Sequence, residues 1–232
     1  MSEQNNGVLP RGVTQQEFNA AVEKFRALLG NENVLVEQQQ LVPYNKIMMS
    51  VENAAHAPSA AVTATTVEQV QGVVKICNEH RIPIWTISTG RNFGYGSAAP
   101  GQRGQVILDL KKMNKIIKVD PEMCYALVEP GVTYGQLYDY IQENNLPVML
   151  SFSAPSAIAG PVGNTMDRGV GYTPYGEHFM MQCGMEVVLA NGDVYRTGMG
   201  GVKGSNTWQI FKWGYGPTLD GMFTQSNYGI CT

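Results

Sequence analysis

Three glycines fall within seven residues in Ser88-Thr89-Gly90-Arg91-Asn92-Phe93-Gly94-Tyr95-Gly96-Ser97, among hydroxyl, guanidinium and amide side chains. Glycine reaches backbone angles that side chains forbid, so such a loop can turn several N–H groups toward one anion. Ser88, Thr89, Arg91 and Asn92 add donors suited to phosphate oxygens. The plain alternative is a glycine-rich turn without a ligand. The preceding run, Ile82-Pro83-Ile84-Trp85-Thr86-Ile87, reads as a buried strand, which puts the loop at a strand's C-terminal end. Open α/β sheets bind ligands there.

A second segment, Ser153-Ala154-Pro155-Ser156-Ala157-Ile158-Ala159-Gly160-Pro161-Val162-Gly163-Asn164, has few bulky side chains. A planar group could approach its main chain closely; a tightly packed interior loop would look the same. It leads into Arg168-Gly169-Val170-Gly171-Tyr172-Thr173-Pro174-Tyr175-Gly176-Glu177-His178. Tyr172 and Tyr175 read either as walls of a pocket or as hydrogen-bonded core residues. Glu177 with His178 reads as an acid/base pair or, more simply, as a buried structural hydrogen bond. Asp167 and Arg168 read as a local ion pair fixing the loop.

These loops need elements to hold them. A helix is expected over 14–29, where Thr14 and Glu17 fit a capping box and Phe18, Val22, Phe25 and Leu29 recur at helical spacing. A short strand at 34–36 precedes a polar, irregular stretch to Pro58. A strand at 61–64, a helix over 67–80 capped by Thr66, and the strand at 82–87 form a βαβ unit. That unit implies a parallel pair with a right-handed crossover. Strands at 105–110, 116–119 and 125–128 follow, then a helix from Thr133 through Asn144. Asn191-Gly192 between 185–189 and 194–197 signals a hairpin. The class is α+β, with two small subdomains and a ligand in the groove between them. This is not a dinucleotide-binding Rossmann pattern, since Gly94-Tyr95-Gly96 is not followed by the helix carrying a third glycine.

At 232 residues the chain can bury a sizeable core. Charged residues are 15 % and the net charge is −3, which gives no electrostatic case for nucleic acid or an anionic membrane as partner. No apolar run is long enough for a spanning helix. The start, Met1-Ser2-Glu3-Gln4-Asn5-Asn6, lacks the basic and apolar regions of a signal peptide, so export by a signal of its own is not expected, while export in company with another subunit stays open. Cys77, Cys124, Cys183 and Cys231 match no metal-ligand spacing, and His56, His80 and His178 form no ligand pair, so no metal is assigned. Cys77 falls on the apolar face of its helix as a core residue.

Together the stretches 88–96, Val128-Glu129-Pro130-Gly131-Val132-Thr133, 168–176, 185–192 and Asp220-Gly221-Met222-Phe223 resemble the flavin-binding domain of the vanillyl-alcohol oxidase/p-cresol methylhydroxylase family. The likeness runs over nearly the whole chain from Val8. It implies FAD as cofactor, a helix and arm at 1–56 and an FAD-binding domain at 57–232. It puts the pyrophosphate on Ser88, Thr89, Gly90, Arg91, Asn92, Gly94 and Tyr95. The isoalloxazine would lie against Pro155, Ser156, Gly160, Gly163, Asn164, Gly169, Gly171 and Tyr172, with Gly131 nearby. The adenosine would lie near Gly221, Gly229 and Ile230.

The resemblance also implies a para-alkylphenol substrate oxidised by hydride transfer through a quinone methide, with Tyr95 as the phenolate-binding catalytic residue. Electrons would pass to a cytochrome c subunit, in a flavoprotein homodimer located in the periplasm; a cytoplasmic site is the alternative. Ser153 and Ser156 stand where the oxygen-using branch carries a carboxylate, which favours a dehydrogenase over an oxidase. Family members continue past the position of Thr232 into a substrate-binding cap. The sequence is therefore read as partial, inactive alone, and at its simplest an FAD-binding module. Covalent flavin attachment and further phenol-pocket residues are expected in the cap.

Overall fold

The computed structural model describes residues 7–47, 50–92, 97–153, 156–214 and 216–232. Its contacts divide the chain into two compact units, Met1–Lys112 and Met113–Thr232.

In the first unit, helix α1 (Gln15–Leu29) begins at the expected capping box: the Thr14 hydroxyl accepts from the Glu17 N–H while the Glu17 carboxylate accepts from the Thr14 N–H. Such a cap is worth about 1 kcal/mol. Phe18, Val22, Phe25 and Leu29 form the buried face. Strand β1 (Val34–Leu35) follows, and then helix α2 (Gln38–Leu41) with a tight turn at Val42–Tyr44, in a stretch whose polar sequence shows no periodicity. Strand β2 (Ala60–Thr63) leads into α3 (Val67–His80), capped by Thr66, which buries Val70, Val73, Val74 and Cys77 and packs on α1. Burial pushes the Cys77 thiol up to about 12, so it behaves as a core residue.

Strands β3 (Ile84–Ile87) and β4 (Val106–Asp109) complete a sheet of order β1-β2-β4-β3. The expected βαβ unit forms, with β2 and β3 parallel in one sheet, but their direct pairing is corrected: β4 lies between them and runs parallel to both. Burial explains the order. Val106, Ile107 and Leu108 are wholly buried, as a central parallel strand requires, whereas Ile84, Trp85 and Thr86 on β3 are only half-buried, as on an edge.

In the second unit, β5 (Ile116–Asp120) and β6 (Tyr125–Val128) form an antiparallel pair. Helix α4 (Tyr134–Glu143) starts at a Thr133–Gln136 capping box and buries Leu137 and Ile141 beside Val132. Two short helices, α5 (Pro161–Met166) and α6 (His178–Met181), punctuate the small-residue segment. The hairpin of β7 (Glu186–Leu189) and β8 (Val194–Arg196) turns at Asn191-Gly192 as expected. Helix α7 (Asp220–Phe223) precedes β9 (Gly229–Cys231), which pairs with β7 through Val188 and Ile230. The sequence shows no strand signal there, because three residues are too few to display alternation. The observed class is the α+β one read from the sequence.

Candidate functional site

Parallel register in the first unit puts Thr63, Ile87 and Asp109 at one end of the sheet. The candidate loop leaves β3 there. Ser88, Thr89, Gly90 and Asn92 are half-buried and Arg91 is exposed. The Ser88 hydroxyl accepts from the Thr89 N–H at 2.6 Å, and the Asn92 carbonyl accepts from both the N–H and the hydroxyl of Ser97, at 2.8 and 3.0 Å. Asn92 and Ser97 thus form the neck of the loop; Phe93, Gly94, Tyr95 and Gly96 lie outside the described residues. Gly90 has φ +65°, and a Cβ there would sit 2.9 Å from the Ala98 Cβ. Both facts exclude a side chain.

Sequence reasoning missed what stands beside this loop. Asp109, opposite Ile87, is buried; its Oδ2 accepts from the Tyr44 hydroxyl at 2.7 Å and from Lys111 Nζ at 2.9 Å. Lys111 Nζ also donates to the Tyr44 oxygen at 3.0 Å. Burial, and then the charge of Asp109, raises the Tyr44 phenol above its ordinary pKa. Burial alone would lower the Lys111 ammonium, but its hydrogen bonds to Tyr44 and Asp109 outweigh that and raise it.

In the second unit, Gly160 is the N-cap of α5 and Pro161 its first residue, where a missing N–H loses no helical bond. The Gly160 carbonyl accepts from Asn164 N–H, the Gly163 carbonyl from Asp167 N–H, and the Asn164 carbonyl from Gly169 N–H at 2.7 Å. The Gly171 N–H donates to the Gly176 carbonyl, which folds the following loop back on itself. Ser156 is exposed, Ser153 is buried, and Ala154 and Pro155 lie outside the described residues. Tyr172 and Tyr175 are 75 % and 66 % exposed, which excludes the core reading of both.

His178 is buried and hydrogen-bonded through Nδ1 to Asn164 Oδ1 and through Nε2 to Ser151 Oγ at 3.0 Å. The buried structural reading therefore replaces an acid/base pair with Glu177. Burial holds the imidazole below its ordinary pKa, against a smaller upward pull from the Glu177 carboxylate. Arg168 donates through Nε to Thr224 Oγ1 at 3.1 Å and lays its guanidinium 4.6 Å from the Phe179 ring centre. Gln225 adds bonds from its N–H to the Met166 carbonyl and from its side chain to the Asp167 carbonyl, both at 2.9 Å. The anchoring of this loop to the segment after α7 has no local signal in the sequence.

The remaining candidates fall at three places in this unit. Gly131 is buried, with its N–H on the Met113 carbonyl at 2.7 Å. Gly221 lies in α7 beside the Arg168 guanidinium. Gly229 and Ile230 lie in β9, the latter buried.

A protein-family model described as "FAD binding domain" matches residues 58–198. This chain belongs to that FAD-binding family. FAD is accordingly the cofactor of the domain, as the motif resemblance implies. The chain is 93 % identical over 232 residues to the 4-cresol dehydrogenase (hydroxylating) flavoprotein subunit of Pseudomonas putida, covering all of this chain and 44 % of that one. It superposes on a crystal structure of p-cresol methylhydroxylase with substrate bound at TM-score 0.96 and 92 % identity, over 97 % of this chain and 44 % of that one. A 4-ethylphenol oxidase from Gulosibacter chungangensis gives TM-score 0.92 at 40 % identity, over 97 % and 43 %. The chain thus spans less than half the length of these relatives.

The residues of the FAD-binding domain fit the cofactor on chemical grounds. Two hydroxyls, a guanidinium and an amide stand around Gly90, whose left-handed backbone no side chain fills. Those are donors for a pyrophosphate. In the segment 160–171 the space that side chains at Gly169 and Gly171 would fill is taken by Asn164 and by His178 with the Phe152 carbonyl. Among the described residues no helix is long and apolar enough to cross a membrane, and no cluster of three His, Cys, Asp or Glu could hold a metal ion.

Proposed function

We propose that this chain is the flavin-binding part of a para-alkylphenol dehydrogenase that oxidises and hydroxylates 4-cresol. The observation that carries the reading is the 93 % identity across all 232 residues to a 4-cresol dehydrogenase flavoprotein subunit. FAD, when bound, supplies the hydride acceptor. Ser88, Thr89, Arg91 and Asn92 hold its pyrophosphate by charge-assisted and neutral hydrogen bonds. Asn164, Gly169 and Gly171 lie against its ring system, and Gly221, Gly229 and Ile230 near its adenosine.

Tyr95 donates a hydrogen bond to the phenolic oxygen of the substrate. A substrate held as phenolate makes its para-alkyl carbon a good hydride donor, since the product is a neutral quinone methide. Water then adds to give the alcohol, and a second oxidation gives the aldehyde. Electrons leave to a cytochrome c subunit, and the flavoprotein works as a homodimer in the periplasm.

The 4-ethylphenol oxidase at 40 % identity supports a second reading, in which oxygen takes the electrons. The hydroxyls of Ser153 and Ser156, where the oxidase branch carries a carboxylate, favour the dehydrogenase. Anaerobic addition of 4-cresol to the full-length holoprotein tests both. Rapid bleaching of the flavin, fast recovery with cytochrome c and slow recovery in air support the dehydrogenase. Fast peroxide formation supports the oxidase, and no bleaching rejects a phenol substrate.

A further inference from the structure

Asn164 and His178 are joined through one hydrogen bond whose direction is fixed by chemistry. The amide Oδ1 can only accept, so His178 Nδ1 carries the proton. Nε2 of the neutral ring is then an acceptor, and the Ser151 hydroxyl 3.0 Å away donates to it. With its proton so directed, Ser151 Oγ accepts from the Thr173 hydroxyl at 2.8 Å. Donation therefore runs one way, from Thr173 through Ser151 and His178 to Asn164.

Packing holds this relay in place. A Cβ on Gly169 would lie 2.2 Å from Asn164 Nδ2, and a Cβ on Gly171 would lie 2.5 Å from His178 Nε2. The two glycines are thus the surface against which the amide and the ring rest. Burial keeps the imidazole neutral near pH 7, the state in which Nε2 can accept from Ser151.

We propose that His178 is a positioning residue of the flavin site, setting which end of the Asn164 amide faces the cofactor. With Oδ1 engaged by the ring, Nδ2 is the end left to donate. The inference rests on the reading of Asn164 as a flavin-contacting residue. Both ring nitrogens of His178 are taken by protein partners, so it acts through Asn164.

The full-length apoprotein titrated with FAD, followed by flavin fluorescence before any covalent attachment, tests this. His178→Asn keeps a donor at the place of Nδ1, whereas His178→Gln reaches toward Nε2 and leaves Asn164 Oδ1 without a donor. One hydrogen bond of this kind corresponds to about a tenfold change in affinity. We expect His178→Gln to weaken FAD binding by about that factor and His178→Asn to stay close to wild type. The His178→Gln effect should vanish in an Asn164→Ala background. Equal losses in the two His178 variants, or an undiminished effect in that background, would overturn the proposal. Wild-type affinity in Asn164→Ala alone would instead remove Asn164 from the flavin site, and the proposal with it. A readout without any substitution is the ¹⁵N spectrum of His178: the Nδ1–H tautomer supports the relay, and the Nε2–H tautomer rejects it.

Discussion

The Tyr44 hydroxyl donates to Asp109 Oδ2 at 2.7 Å across 65 residues of sequence. The bond ties the turn at Val42–Tyr44 to the end of β4, where Asp109 pairs with Ile87 and the candidate loop begins. Tyr44→Phe keeps the ring and leaves the buried carboxylate with Lys111 alone. A hydrogen bond to a charged group is worth about 1.5–3 kcal/mol, and the variant should lose about that much stability in denaturant unfolding. No measurable loss would mean that water replaces the hydroxyl.

Thr197 makes an analogous prediction in the second unit. Its hydroxyl donates to the buried Asp220 Oδ1 at 2.8 Å and accepts from the Met185 N–H at 2.9 Å. Thr197→Val preserves shape and removes both bonds, leaving a buried N–H without its partner. The expected cost is about 2–3 kcal/mol, read as a lower denaturation midpoint at unchanged slope.

The elements held by local rules are legible in the sequence alone. Thr14, Thr66 and Thr133 announce their helices because a capping hydrogen bond spans only three residues. Gly90 announces its loop because a left-handed backbone angle is a property of one residue. The position of β4 is not legible in this way. Parallel pairing joins strands far apart in sequence, and only the full burial of Val106, Ile107 and Leu108 marks the central place. The same applies to the site: His178 stands out in the sequence, yet its partners Asn164 and Ser151 lie 14 and 27 residues away with no periodic relation to it. Tyr44, Asp109 and Lys111 carry no signal at all, since each is ordinary in its own neighbourhood.

Protonation of His178 should couple stability to pH. Burial depresses its folded pKa below the ordinary 6.5, so the unfolded chain binds the proton more tightly than the folded one. Its contribution is therefore present above that value and is lost as pH falls through the folded pKa. His178→Asn lacks this titration. The stability advantage of wild type over His178→Asn should shrink between about pH 7.5 and pH 5 in urea unfolding. An advantage that is constant or grows on acidification would contradict a depressed pKa.

Tyr95, outside the described residues, is tested in the full-length protein by Tyr95→Phe. Loss of one preorganised donor to an oxyanion slows reaction by roughly a hundred- to a thousand-fold. The effect is expected on anaerobic flavin reduction by 4-cresol, with FAD content and reoxidation by cytochrome c unchanged. Reduction at the wild-type rate would make Tyr95 a packing residue.

The loop after β3 is the centre of this account, and titration of FAD into the full-length apoprotein with and without Gly90→Val, read at the non-covalent binding step, tests it most directly. Valine at φ +65° is strained, and its Cβ would press on Ala98. Saturable binding by wild type, weakened at least about tenfold in Gly90→Val while the fold is retained, is the expected result. FAD affinity unchanged by Gly90→Val, or no binding by the wild-type protein, would contradict the assignment.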